Sequence, residues 1–380
     1  MATRMKGLNW MVAIAVGALV GTKGTAEEDA ASLSERVRQL EDRVRQVETS
    51  RPNGYLPIHL GGYGELHYNR LDGRGGAPDK READLHRFVL FVGHEFSPSV
   101  RFNSEIEWEH TAAGANHKGY VQIEQAYLDF DLTAAHTLRA GVFVLPIGIL
   151  NEIHEPTTFY GVERNRVENR IIPTTWFEGG AGLLGRIGSG WEYALYGHTG
   201  LKTTEDKPYE IRSGRQKVSY ADSSDPAFTA ALRWSGAGIA VGAAAQYQSD
   251  ITQGTNPEAG AAWLGAVHLD ARQGPVGLRA LYAEWQLDGS GPKAAGADRQ
   301  LGWYLELSYR WRPSLGLFSR YSLTDELAGS SESESQKRQW DVGMNWWPHE
   351  QVVVKADYQR QSNADGKNQN GINLGLGYQF

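Results

Sequence analysis

The chain of 380 residues contains no cysteine, which excludes disulfides, thiolate metal sites and a cysteine nucleophile. It also contains no run of about twenty apolar residues, so we expect no membrane-spanning helix. A basic excess is missing too, because the formal net charge is −7, and this argues against a nucleic-acid partner. What the chain has in quantity is 45 Gly, 12 Trp and 17 Tyr, a combination typical of many strands joined by turns.

The first segment has the pattern of a secretory signal peptide. Two basic residues precede an apolar run over 10–20, and small residues follow up to Ala26. The run is too short to span a bilayer, although a signal anchor is the alternative interpretation. We therefore expect residues 1–26 to be removed on export, which leaves a net charge of −10.

Residues 27–50 carry a heptad pattern. Apolar side chains recur at alternating spacings of three and four from Ala30 to Val47, and arginines and glutamates occupy the flanking g and e positions. The pattern predicts a short parallel coiled coil and resembles the arginine–glutamate heptads of trimeric coiled coils. A single amphipathic helix lying on the protein is the alternative. Because so short a helix is marginal alone, another oligomeric element must hold the chains together.

From residue 51 onwards the hydrophobic period changes to two. In the last segment Ile372, Leu374 and Leu376 alternate with polar residues and glycine, and the segment ends on the aromatic Phe380. A soluble antiparallel sandwich also alternates. Strands of ten residues or more, charges on the polar face and recurring Trp and Tyr on the apolar face favour a barrel in the outer membrane instead.

We predict an all-β fold: a 16-stranded antiparallel transmembrane β-barrel over 51–380, preceded by the short coiled-coil helix of 27–50. Seven short turns alternate with longer polar loops, as in barrels whose turns and loops lie on opposite sides of the membrane. Counts of 14 or 18 strands remain open at this point. Sixteen strands leave a water-filled lumen, whereas eight are filled by side chains.

The third long loop, over about 148–175, is the candidate constriction, because a loop of this length is usually functional. Folded into the lumen, its charges act on a passing ion with little screening, whereas a solvated surface loop is the alternative. The candidate constriction residues are Glu152, Glu155, Glu163, Arg164, Arg166, Glu168 and Arg170. The candidate lumen-wall residues are Arg101, Glu105, Glu107, Arg139, Arg186, Arg279, Arg310 and Arg320. Both signs of charge occur, so the sign of selectivity stays open.

One stretch resembles a known family. An Ala-Tyr-Leu-Asp strand over 126–129, a Leu-Arg-Ala-Gly-Val-Phe-Val-Leu-Pro-Ile-Gly segment over 138–148 and the pair Glu163-Arg164 are similar to the phosphate-selective porin O and P family. The resemblance implies a trimeric, sixteen-stranded channel with the third loop inside. Phosphate-selective members use rows of arginines and a lysine cluster. This chain has mixed lumen charges and only 11 lysines without a cluster, so phosphate specificity does not follow.

No motif indicates catalysis, and we predict no enzyme, no catalytic, cofactor-binding or metal residues and no cofactor. The Gly-x-Gly-x-x-Gly match over 180–185 lies on a predicted strand with no helix after it, which excludes a dinucleotide site. We expect a passive channel in the bacterial outer membrane with its helix in the periplasm. The expected partners are two further copies in a homotrimer, outer-membrane lipids and small polar or ionic solutes. The alternatives are a barrel sheath around another outer-membrane or electron-transfer protein, and an outer-membrane hydrolase.

Overall fold

The computed structural model describes residues 58–204, 206–207, 209–331 and 334–380. The predicted signal peptide and coiled coil lie outside these residues. Within them, no helix combines the length and the apolar character needed to cross a membrane.

Sixteen antiparallel strands of the described chain form a closed barrel in which each strand pairs with its sequence neighbours. They are β1 (Ile58–Arg74), β2 (Lys80–Ser97), β3 (Val100–Glu109), β4 (Tyr120–Asp131), β5 (His136–Val144), β6 (Phe177–Ile187), β7 (Trp191–His198), β8 (Ala227–Gly236), β9 (Ile239–Gln248), β10 (Ala262–Gln273), β11 (Val276–Leu287), β12 (Arg299–Arg312), β13 (Leu315–Asp325), β14 (Lys337–His349), β15 (Val352–Gln361) and β16 (Asn368–Gln379). The predicted fold and strand number are confirmed, and 14 or 18 strands are excluded.

The barrel closes between its first and last strands. The β1–β16 register runs from Tyr63 opposite Gln379 to Arg74 opposite Asn368. Gly62 and Phe380 then exchange two backbone hydrogen bonds of 3.0 and 2.9 Å, which extend the pairing to the last residue. Closure leaves no free strand edge, so every strand satisfies its backbone within the membrane.

The period-two pattern separates the two faces of the wall. Ile372 and Leu374 of β16 point outward and are about half exposed, whereas Asn373 between them points inward and is 1% exposed. Exposed tryptophans of the outer face lie near both ends of the strands. Trp191, Trp311 and Trp346 lie near the rim with the short turns, and Trp263 and Trp340 lie near the other rim. An apolar band between two aromatic girdles is the surface of a membrane-spanning barrel.

Two connections that begin at the long-loop rim enter the lumen. We call them L3 (residues 145–176, between β5 and β6) and L4 (residues 199–226, between β7 and β8). L3 contains a helical turn, Val167–Ile171, and L4 contains another, Arg212–Gly214, while the β11–β12 connection contains the short helix α1 (Ser290–Ala295). The main apolar cluster lies inside the barrel, where Ile147, Ile171 and Trp176 of L3 pack with wall residues such as Trp285.

Candidate functional site: loops inside the barrel

Loop L3 lies against the inner wall formed by β11 to β16. Four consecutive carbonyl oxygens at its tip accept hydrogen bonds of 2.8–3.2 Å from side chains of four strands. Thr158 accepts from Arg279, Phe159 from Asn345, Tyr160 from Arg320 and Gly161 from Lys355. Buried carbonyls need such donors because no water reaches them. These wall residues therefore hold the loop in place.

Glycines on the inner wall let the loop approach this closely. A Cβ atom at Gly377 would lie 2.5 Å from Cβ of Pro156, and one at Gly316 would lie 2.3 Å from the Tyr160 hydroxyl. The Tyr160 ring packs edge-on against Trp347, with ring centroids 5.6 Å apart. The tip of L3 is thus fixed by backbone hydrogen bonds and by aromatic packing together.

Glu168 joins the first part of L3 to its later part and to Tyr304 of β12. One carboxylate oxygen accepts the backbone N–H groups of Ile149 and Leu150 at 2.5 Å, and the other accepts from Asn165 and the Tyr304 hydroxyl at 3.1 and 2.9 Å. Burial raises the pKa of Glu168, although the four donors oppose that shift. The side chain is fully buried, which contradicts the expectation that its charge faces a passing ion.

Glu163 attaches L3 to β1, the strand that pairs with β16. Its carboxylate accepts a hydrogen bond of 3.1 Å from Asn69 and lies 3.4 Å from Nδ1 of His67. Burial by itself raises the pKa of Glu163, but the hydrogen bond and the charge of His67 outweigh it and lower that pKa. L3 therefore contacts a continuous stretch of the wall from β11 through β16 to β1.

Loop L4 also enters the barrel, which the sequence did not suggest. Arg212 donates to the carbonyls of Asn169 and Thr174 at 2.8 and 2.9 Å. Arg215 donates to the carbonyls of Pro173 and Thr175 at 3.0 and 2.7 Å. Burial, with the charges of Arg215 and Arg170, lowers the pKa of Arg212 to about 9. The one available signal was the three basic residues at 212, 215 and 217 in a connection nearly as long as L3.

Lys217 carries L4 across to the β4 wall. Its ammonium donates to the Tyr120 hydroxyl at 3.0 Å and to the Gln122 side-chain oxygen at 2.9 Å, and it lies 4.2 Å from the centre of the Tyr120 ring. Burial lowers the pKa of Lys217, and the nearby Arg215 lowers it further.

Opposite charges face each other across a polar cavity of about 110 Å³ between these loops and the strands β1 to β4. The wall side contributes carboxylates, namely Glu65, Glu107, Glu109 and Glu124. The loop side contributes the cations Arg164, Arg212, Arg215 and Lys217, and one carboxylate, Glu163, which lies 3.4 Å from His67 of β1. Glu65 is paired with Arg87, whose Nε lies 2.5 Å from its carboxylate. An ion at this level crosses a field directed from the loops to the wall, in a space where screening is weak.

The remaining five predicted loop residues lie in different places. Arg164 lies at the cavity, and among the described residues its side chain donates a hydrogen bond of 3.2 Å to the Thr175 hydroxyl. Glu152 lies on the short-turn side, 3.1 Å from Arg233. Arg170 pairs with Glu210 of L4 at 3.0 Å. Arg166 and Glu155 are half-buried. Burial lowers the pKa of Arg166, and the charge of Arg170 lowers it further.

All eight predicted wall residues lie on the inner face, but most are held by neighbours. Arg101 chelates Asp131, Arg139 pairs with Asp129 at 2.8 Å, and Arg279 pairs with Asp270 at 2.8 Å. Arg320 is 3% exposed between Glu306 and Asp341, so it supports L3 and is not open to solutes.

Four of the eight wall residues lie elsewhere along the lumen. Arg186 and Arg310 donate to the turn carbonyls of Ala134 and Pro313 near the short-turn rim. Glu107 accepts from Gln122 beside the cavity, and Glu105 accepts from Gln125 at 2.7 Å. On the short-turn side, cavities of about 520 Å³ each open next to Arg186 and next to Arg310. These two cavities are therefore larger than the polar cavity of about 110 Å³ between the loops and the wall.

Comparisons with known proteins agree with this architecture. The chain is 29% identical over 348 residues to an uncharacterized protein of Aquifex aeolicus, covering 82% of this chain and 77% of that one. Its fold matches the outer membrane channel DcaP of Acinetobacter baumannii with a TM-score of 0.61 at 15% identity, covering 87% and 99% of the two chains. It matches the trimer form of OmpT of Vibrio cholerae with a TM-score of 0.53 at 10% identity, covering 85% and 99%.

A closed sixteen-stranded barrel with an aromatic-edged apolar band and loops inside its lumen is a porin of the bacterial outer membrane. The family model of the phosphate-selective porin O and P matches residues 59–380, and the chain belongs to that family. The resemblance noted over 126–164 is thereby confirmed. The chain is accordingly an outer-membrane channel for passive diffusion, while its solute is a separate question.

Proposed function

We propose that the channel passes small hydrophilic solutes and ions, with a preference for anions set by L3 and L4. The observation that supports the preference is the pairing of the loop cations. Among the described residues, Arg164, Arg212, Arg215 and Lys217 hydrogen-bond only to uncharged acceptors. A cation held by a carbonyl or a hydroxyl keeps its full charge, so its field extends into the lumen.

The carboxylates across the cavity weaken this preference without cancelling it. Glu65 is paired with Arg87, and Glu163 with His67. Glu107, Glu109 and Glu124 remain on the wall against four loop cations. We therefore propose a moderate anion preference with inorganic phosphate among the permeant anions. Strict phosphate selectivity is not part of the proposal, because most arginines along the wall are paired with carboxylates or hold loop backbone.

The test is the reversal potential of purified protein in planar bilayers under a KCl gradient. An ion about 8 Å from one cation gains about 0.5 kcal/mol at the dielectric constant of water and about 2 kcal/mol at an effective value of 20. Removing two cations in an Arg164→Gln, Lys217→Gln variant should lower the chloride-to-potassium permeability ratio at least about twofold. Lys118→Gln makes the same kind of charge change in an exposed loop and should leave the ratio unchanged.

The recordings test the anion preference and the permeation of phosphate separately. A wild-type ratio that favours chloride and falls in the double variant supports it. A cation-preferring wild type, or a double variant equal to Lys118→Gln, contradicts the role assigned to the loops. Inhibition of the chloride current by millimolar phosphate supports phosphate as a permeant anion, and no inhibition leaves a channel without affinity for phosphate.

We also propose that three barrels assemble side by side, with the helices of residues 27–50 joined as a parallel coiled coil in the periplasm. The heptad pattern supports this assembly, and the trimer form of the Vibrio cholerae barrel shows that the same fold assembles as a trimer. No chemical step is proposed. A sheath around another protein is disfavoured because L3 and L4 occupy the lumen, and the hydrolase alternative has no observation in its favour.

A further inference from the structure

Three side chains from separate parts of the chain meet where L3 passes β3 and β4. They are His154 of L3, Glu105 of β3 and Glu124 of β4, and all three are at least 97% buried. Nε2 of His154 lies 3.3 Å from Oε1 of Glu105 and 3.7 Å from Oε2 of Glu124. One ligand atom from each residue lies within 4.8 Å of the other two.

We propose that this cluster, His154–Glu105–Glu124, binds a divalent first-row transition metal ion such as Zn²⁺, and that the ion joins L3 to the wall. Ligands about 2.1 Å from a metal at tetrahedral angles are about 3.4 Å apart, close to the separations of the His154 nitrogen from the two carboxylates. One imidazole and two carboxylates are ligands that Zn²⁺ accepts, and a water completes four-coordination.

The orientation of each ligand is set by a hydrogen bond on its other polar atom. Nδ1 of His154 lies 3.0 Å from the carbonyl of Asn151, so Nδ1 carries the proton in the neutral ring and Nε2 presents its lone pair. Oε2 of Glu105 accepts from Gln125 at 2.7 Å, and Oε1 of Glu124 accepts from Gln122 at 3.0 Å. Second-shell partners of this kind are typical of metal sites, where they fix the ligand atoms that face the ion.

Two further observations concern Glu124. Its Oε2 atom is buried, points toward the cluster and has no hydrogen-bond partner, and an unpaired carboxylate oxygen in this position is costly. A register shift between Glu105 and Ile106 leaves Glu124 as an extra residue in β4, without an opposite residue in β3. Such a bulge redirects a side chain, and here it adds Glu124 to the inner face next to Gln125.

The cluster also attracts positive charge and has an access route. Burial alone lowers the pKa of His154, but Glu105, with a smaller contribution from Glu124, raises it to about 9. A metal ion would take the place of that proton. Glu124 lines the polar cavity between the loops and the wall, so an ion can enter from the lumen. Arg87 opposes the ion with its charge; it is paired with Glu65 and also donates to the backbone carbonyl of His154 at 3.1 Å.

His67 provides a matched control. It is equally buried and lies between two carboxylates, 3.2 Å from Glu65 and 3.4 Å from Glu163. These contacts use its two different ring nitrogens, so no single position is within coordinating distance of all three residues. The variant His67→Gln therefore removes a buried, carboxylate-flanked histidine without removing a ligand of the proposed ion.

The experiment uses the purified full chain in detergent, stripped with a chelator and titrated with Co²⁺ as an optical probe. We expect one Co²⁺ per chain with the intense visible absorption of four-coordinate cobalt, displaced by Zn²⁺. The variants His154→Gln and Glu124→Gln should each bind at least about tenfold more weakly, whereas His67→Gln should bind like the wild type. Heat-modifiable mobility on gels checks that every variant is a folded barrel.

Loss of affinity in both ligand variants with retention in the control supports the site. Absence of stoichiometric binding in the wild type, or equal binding by His154→Gln and the wild type, overturns it. As a second measurement, Zn²⁺ should raise the melting temperature of the wild type but not that of Glu124→Gln, and equal shifts count against the site. Neither result depends on the solute of the channel.

Discussion

The attachment of L3 through Glu168 can be tested by removing its carboxylate. Four donors converge on this side chain, and two of them are the backbone N–H groups of Ile149 and Leu150, which cannot turn away. In Glu168→Ala these two donors lose their acceptor in a buried place. We expect the barrel to fold and the loop to detach more often, because the backbone pairing of the strands does not depend on this carboxylate.

The structure gives the size of the effect. A buried donor left without a partner costs about 1–3 kcal/mol, so two backbone N–H groups cost about 2–6 kcal/mol. At about 3 kcal/mol the detached form becomes about 150-fold more populated. Glu168→Gln keeps one oxygen for both N–H groups, and the Tyr304 hydroxyl can turn to accept from the new amide. The expected cost is then about 1 kcal/mol.

The assay is limited proteolysis with trypsin, because three arginines of L3 become cleavable when the loop detaches. They are Arg164, Arg166 and Arg170. Cleavage within 164–170 should be fastest in Glu168→Ala, intermediate in Glu168→Gln and slowest in the wild type. Hydrogen exchange at the amides of Ile149 and Leu150 should follow the same order.

The control is Glu155→Ala, which removes a half-buried glutamate of the same loop whose buried Oε2 has no hydrogen-bond partner among the described residues. We expect wild-type cleavage rates for it. Equal rates in Glu168→Ala and Glu155→Ala would show that the four hydrogen bonds of Glu168 do not hold the loop.

Three other predictions concern pH, loop contact and assembly. Because the pKa of Glu163 is lowered, its carboxylate stabilises L3 above the ordinary carboxyl pKa of about 4.3, and this stabilisation is lost as the pH falls through the lower pKa of the folded protein. The current noise of the wild type should therefore rise at pH 3. A matching rise in Glu163→Gln would contradict this. Arg212→Met removes two charged hydrogen bonds worth about 1.5–3 kcal/mol each, so exchange over 169–175 should accelerate, and unchanged exchange would count against the L3–L4 contact. Deletion of 27–50 should lower the temperature at which a trimer dissociates in detergent, and an unchanged temperature would remove the coiled coil from the assembly.

The barrel could be predicted from the sequence because the alternation of apolar and polar residues is visible within each single strand. Each strand needs apolar residues at every second position, and each short turn interrupts that pattern, so the number of strands could be counted. The alternation says less about where strands end near the long loops. β2 begins at Lys80, among polar residues, because the sheet extends beyond the membrane.

The interior was less predictable because its contacts join distant residues. Arg320 contacts the Tyr160 carbonyl across 160 positions, and nothing near either residue marks the other as a partner. L4 has no hydrophobic period. The basic residues of 212–217 were therefore the one feature of its sequence that indicated a place in the lumen. The His154–Glu105–Glu124 cluster has no motif spacing, because a bulge and the insertion of L3 bring its members together.

We infer that an open, aqueous path passes the charged cavity between L3, L4 and the β1–β4 wall. Single-channel recording of the purified protein in planar bilayers tests it most directly. We expect stepwise, ohmic insertions in the wild type and a larger or noisier unit conductance in Glu168→Ala, where L3 detaches. Folded protein that inserts without ionic current, or a unit conductance and noise that are identical in both proteins, would contradict the account.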